Sequence, residues 1–150
     1  MSFPLQHPDQ LKIDFFIGFI DYPRYYNDEI NSPVYSIPLT YATTSNPNFT
    51  STKAQQWMTT KSTVISNVGA NDWIIFNIQQ VGYYKVDYSR ELWTTIINGY
   101  KENPEIIHKI NREVLHEEMF DGWTNLGTQS ISDCLELLGV LENEREGGIW

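Results

Sequence analysis

From Leu11 onward apolar and polar positions alternate, with Leu11, Ile13, Phe15, Ile17 and Phe19 on one side of a two-residue period. That period describes a strand with one face in a core. Asp21 to Pro33, rich in proline, asparagine and acids, reads as a loop. A second alternation runs through Tyr35, Ile37, Leu39 and Tyr41. Pro38 lies inside it and cannot donate to a ladder, which predicts an edge strand or a bulge. Residues 42–62 are dominated by Ser, Thr and Asn and read as a long connection with one short strand around Gln56 to Thr60. Asp72 to Ile78 is a continuous apolar run that predicts a strand buried on both faces. Gln79 to Gly82 makes a turn. Tyr84, Val86 and Tyr88 then alternate against Tyr83, Lys85 and Asp87, so the two runs predict a hairpin.

After Tyr88 the period lengthens. Leu92, Trp93, Ile96, Ile97 and Tyr100 form one helical stripe, with Asp87 or Ser89 placed to cap it. Asn103-Pro104 ends that helix or opens the next. Ile106, Ile107 and Ile110 give an apolar turn, and Asn111 is placed to cap a helix carrying Val114, Leu115, Met119 and Phe120. Gly122 to Thr128 reads as loop, and Ser130 to Asn143 as another amphipathic helix. Strands followed by helices indicate an α+β chain. The expected architecture is an antiparallel β-sandwich of roughly seven or eight strands over 11–88. The first helices of an α-helical array follow over 89–150, about three or four of them.

Composition supports a packed core, since 41% of residues are apolar and 14% aromatic. The net charge of −9 argues against nucleic acid or an anionic membrane as partner, because phosphate binding needs clustered Lys and Arg. The excess sits late: residues 1–88 hold seven acids against five bases, residues 89–150 twelve against five. A solvated helical face is the plain reading of that second figure. The single cysteine, Cys134, excludes an internal disulfide and reads as a buried thiol among Ile131, Leu135 and Leu138. The sequence offers no membrane span, and Met1 to Gln10 lacks the basic start and apolar core of a signal peptide. Compartment stays open on these grounds.

Candidate chemistry is sparse. His116-Glu117-Glu118-Met119-Phe120 opens like the zinc-peptidase helix HExxH, but Phe120 stands where the second imidazole belongs. His108 and His116 read as solvated histidines, and the paired carboxylates Glu117 and Glu118 as surface charges. There is no nucleophile elbow and no glycine-rich phosphate loop. Asn48-Phe49-Thr50 is a glycosylation sequon in form, without meaning in a cytosolic chain.

The run Trp73 to Tyr88, WIIFNIQQVGYYKVDY, followed by Trp93, is similar to a signature of aminopeptidase N-type zinc aminopeptidases. In that family a Trp-led strand, a Gly-Tyr-Tyr-Arg-Val-Asn-Tyr-like strand and a helix with an early Trp join the β-sandwich to the helical, ERAP-like C-terminal domain. Collinear with it, Tyr35 to Tyr41 resembles the family's Trp-x-Ile-Pro-(Leu/Val)-Thr-Tyr strand. Ile110-Asn111-Arg112 with Phe120 resembles its Ile-Asn-Arg helix, and Asn143-Glu144-Arg145-Glu146 with Trp150 its Asn-Glu-Arg-Glu segment. The resemblance is nearest in flavour to insect gut aminopeptidases. Its signature residues here are Trp73, Gly82, Tyr83, Tyr84, Val86, Tyr88, Trp93, Asn111, Arg112 and Phe120. Lys85 departs from the family's Arg, Glu113 and Val114 from its Ala-Gln, and Gly147 to Ile149 from its Tyr-x-Pro.

The resemblance implies a parent that removes N-terminal residues from peptides with zinc, and that is often extracellular and membrane-anchored. The family's Gly-Ala-Met-Glu-Asn substrate loop, its HExxH and its third zinc ligand have no match in this sequence. No catalytic residue, metal ligand or cofactor is therefore assigned to the chain, which is expected to be inactive alone. Its expected partners are the catalytic domains of such a parent, or another copy of itself through residues 89–150; the alternative is a stand-alone, non-enzymatic binding or interaction module, or a degraded gene product.

Overall fold

The computed structural model describes the backbone of residues 10–14 and all of residues 36–140. The chain is α+β. Among the described residues the strands are β1 (Gln10–Asp14), β2 (Ile37–Leu39), β3 (Tyr41–Thr43), β4 (Gln56–Met58), β5 (Ser62–Ser66) and β6 (Ile74–Phe76). They pair antiparallel as β1 with β5, β2 with β4 and β3 with β6. Helices α1 (Arg90–Glu102), α2 (Lys109–Asp121) and α3 (Ile131–Leu138) follow. The expected extension of the first strand to Phe19, the loop 21–33 and the segment beyond Val140 lie outside the described residues.

Pro38 faces Trp57 in a strand that, among the described residues, is bonded on one side only, a place open to a residue with no N–H to give. The connection expected over 42–62 is shorter than its composition suggests. It holds the end of β3, all of β4 and the start of β5, a strand whose mostly polar face hides its single buried residue, Ile65. β6 is buried along its whole length, as a run without alternation requires.

The predicted hairpin does not form. β6 pairs with β3, Tyr41 opposite Phe76, and among the described residues no strand includes or pairs with residues 83–88. Their alternation is nonetheless real: Tyr84, Val86 and Tyr88 turn inward while Tyr83, Lys85 and Asp87 are exposed. The chain between them turns through Asn77, Gln79 and Gln80, whose φ angles of 54°, 52° and 55° fall in the left-handed region.

Ser89 caps α1, its hydroxyl accepting from Leu92 N, and Trp93, Ile96, Ile97 and Tyr100 form the buried stripe. Asn103-Pro104 closes α1 and opens a single 3₁₀ turn. α2 starts one turn earlier than expected. His108 is its cap, with Nδ1 accepting from Ile110 N, so Asn111 lies inside the helix. Gly122 to Leu126 is not loop but a π-helical turn ended by Gly127 at φ 66°. Ser130 and Asp133 then form a reciprocal capping box on α3.

Residues from strands and helices share one apolar cluster. Ile74, Ile75 and Ile78 meet Trp93, Ile96, Ile97, Tyr100, Leu115 and Met119 in it. Trp73 stacks on Phe49 at 6.1 Å and lies across Gly99 of α1. A Cβ at Gly99 would sit 2.4 Å from Trp73 Cδ1, so α1 approaches the tryptophan only because it carries glycine there.

Candidate functional site

The most organised polar region is a buried seam between the 77–88 segment and α2. Asn77 is at its centre. Its Oδ1 accepts from Gly82 N at 2.8 Å, and its Nδ2 donates to the carbonyls of Gly82 and Tyr84, both at 2.9 Å. Thr40 closes the β side, its carbonyl accepting from Asn77 N and its hydroxyl from Ile78 N. Asn111 closes the helical side: Oδ1 accepts from Gln79 N at 2.9 Å and Nδ2 donates to Asn77 O at 3.2 Å. A single buried amide thus serves a donor and an acceptor of a strained turn.

About two helical turns on from Asn111, Glu118 takes the place of a strand partner for the 83–88 segment. Its Oε1 accepts from Val86 N at 2.9 Å, and it is only 6% exposed. Burial pushes its carboxyl up to about 8, against the lowering effect of the Val86 N–H and the Lys85 ammonium. Of the two adjacent glutamates expected at the surface, Glu117 is exposed and Glu118 is not. Tyr88 is buried as well: its hydroxyl accepts from Phe76 N, and burial holds its pKa well above the phenolic range. Tyr84 OH donates to Pro38 O at 3.1 Å. Lys85 pairs with Asp121, which raises its pKa, and Gln129 Nε2 donates to Tyr88 O at 2.8 Å.

The residues singled out from sequence fall into three places. Gly82, Tyr84, Val86, Tyr88 and Asn111 converge on the seam. A Cβ at Gly82 would sit 2.2 Å from the Tyr84 ring, so the seam admits only glycine there. Trp73, Trp93 and Arg112 are buried beside it. Trp93 meets the Tyr88 ring edge-on at 5.1 Å, and Arg112 Nη1 donates to the carbonyls of Pro104 and Ile107. Tyr83 is fully exposed, and Phe120, 57% exposed, meets Trp123 outside the seam. Sequence reading missed Thr40, Asn77, Glu118 and Gln129. The lone polar Asn77 amid an apolar run was the available signal for one of them.

Nothing in this region resembles a hydrolytic centre. Among the described residues no three His, Cys, Asp or Glu side chains gather as metal ligands. His108 and His116 are not both solvated, as expected, nor brought together. One caps α2, the other packs edge-on against Tyr100 at 6.0 Å, about 12 Å further along the helix at 1.5 Å per residue. With Phe120 in the fifth position, the residues present do not fit zinc. Raised pKa values often mark functional sites, but here Glu118, Tyr84 and Tyr88 are each engaged with main-chain atoms. The seam's polar groups are spent on the chain's own main chain.

A family model described as the ERAP1-like C-terminal domain matches residues 73–150. The chain is also 35% identical over 118 residues to a membrane alanyl aminopeptidase of Heliothis virescens, which covers 77% of this chain and 12% of that protein. It is 28% identical over 124 residues to an aminopeptidase N of Plutella xylostella, covering 80% and 13%. With the human thyrotropin-releasing hormone-degrading ectoenzyme it shares 29% over 122 residues, covering 80% and 11%. The chain thus spans about an eighth of the length of these relatives. The match begins at Trp73, beside the seam, and takes in α1, α2 and α3, and the chain belongs to the ERAP1-like C-terminal domain family of aminopeptidase N-type proteins.

Proposed function

We propose that the chain is a non-catalytic scaffold portion of an aminopeptidase N-like zinc metallopeptidase, whose parent activity removes N-terminal residues from peptides. The observation that supports this reading is the seam. Asn77, Asn111 and Glu118 are polar and buried, yet each is bound to the chain's own main chain. Buried polar groups used in this way fix one conformation. In such a parent the zinc and its ligands belong to other segments, and this part sets the position of the walls around them. The names membrane alanyl aminopeptidase and ectoenzyme place two relatives at a membrane. Carried over, these names support a secretory route for this chain.

A second element of the reading concerns the helices. Ile131, Leu135 and Leu138 on α3 are 55%, 61% and 49% exposed at i, i+4 and i+7. Phe120, Trp123 and Leu126 lie exposed just upstream. Helical arrays bury such faces against the next helices, and the isolated chain would bury them against a second copy.

Complementation tests the scaffold reading. An aminopeptidase N-type relative lacking its matching region is co-expressed with the chain, and release of a fluorogenic aminoacyl amide is followed. Restored, chelator-sensitive release is expected with both pieces and none with the chain alone. Chelator-sensitive release by the purified chain itself would overturn the proposal, as would failure to restore activity to a relative that binds the chain.

A further inference from the structure

The sequon set aside above changes meaning once a secretory route is proposed for the chain. It is the single Asn-x-Ser/Thr triplet with a non-proline centre in the sequence. Phe49 is its buried anchor, 5% exposed and stacked on Trp73, with its carbonyl accepting from Gln79 Nε2 at 2.8 Å. Asn48 and Thr50 on either side are exposed. Among the described residues every hydrogen bond to the asparagine amide falls on its oxygen. Asn48 Oδ1 accepts from Thr50 Oγ1 at 2.8 Å, Thr50 N at 3.0 Å and Ser51 N at 3.3 Å. Among the described residues nothing engages Nδ2. The triplet is thus held by its middle residue, with the hydroxyl against the acceptor amide and the nitrogen left available.

We propose that Asn48 is a site of asparagine-linked glycosylation, a proposal that rests on the secretory reading of the chain. The donor is an oligosaccharide carried on a lipid diphosphate. Nδ2 forms a bond to the anomeric carbon, the bond from that carbon to the diphosphate oxygen breaks, and lipid diphosphate leaves. The amide gives up one proton to a base of the transferase, and nothing is oxidised or reduced. A glycan here projects from an exposed loop between β3 and β4 and displaces no core residue, because the buried member of the triplet is Phe49.

The test uses the full chain behind an appended secretory leader in cultured mammalian cells, read on both the secreted and the cell-retained pools. The expected result is a mass gain of one oligosaccharide in most molecules. A peptide N-glycosidase removes it and leaves aspartate at position 48, seen by peptide mass spectrometry. T50S retains the gain, while T50A and N48Q abolish it. An unmodified Asn48 peptide in both pools overturns the proposal, as does a gain that survives N48Q. The leader supplies the route, so a failure here indicts the site alone, whereas a failed complementation leaves this result standing.

Discussion

Glu118 decides the pH response of the fold at the residue scale. Its folded pKa of about 8 lies above the ordinary 4.5, so between those values the folded chain holds a proton that the unfolded chain has released. Its contribution to stability is then full below about pH 4.5 and falls as pH rises towards 8. Lys85 opposes the shift, while Asp87 and Glu117 add to it. E118Q keeps an acceptor for Val86 N and removes the titration. We expect it to flatten this loss, on the order of 4 kcal/mol, in denaturant midpoints taken across the range. Gln80 offers the opposite kind of change. It is exposed at φ 55°, where a side chain is strained, so Q80G should raise stability by about 0.5–1 kcal/mol in the same assay.

Among the elements, α3 depends most on its cap. The Ser130 hydroxyl accepts from Asp133 N and donates to its carboxylate, which it holds below the usual carboxylate range. S130A should cost about 1 kcal/mol and show as loss of helical circular dichroism before the main transition. The stripe of α1 and its Ser89 cap were legible in sequence, because caps and 3.6-residue periods are local signals. Residues 83–88 show where legibility stops. Their alternation correctly gave the inward face, but a period of two does not say whether the partner is a strand or a carboxylate on a helix. β5 escaped notice because only Ile65 of its five residues is buried. Asn111 and Glu118 carried the residue types of a cap and a surface charge, and only tertiary placement makes them interior ligands of the main chain.

Viewed as a whole molecule, the chain pairs a well-filled centre with an apolar outer face on α3. We expect the purified protein to associate as concentration rises, visible by sedimentation. L135K, at a position 61% exposed, should shift it towards monomer with little change in stability, since no core contact is removed. A wild-type chain that stays monomeric at high concentration would remove self-association from the picture. The Asn111 side chain has a use beyond holding the seam. The Gln79 amide proton it accepts belongs to the β region, while Asn111 belongs to α2, 32 residues away. That proton should trade with heavy water only when the two regions part, so its exchange rate times their separation in the native protein, without any label.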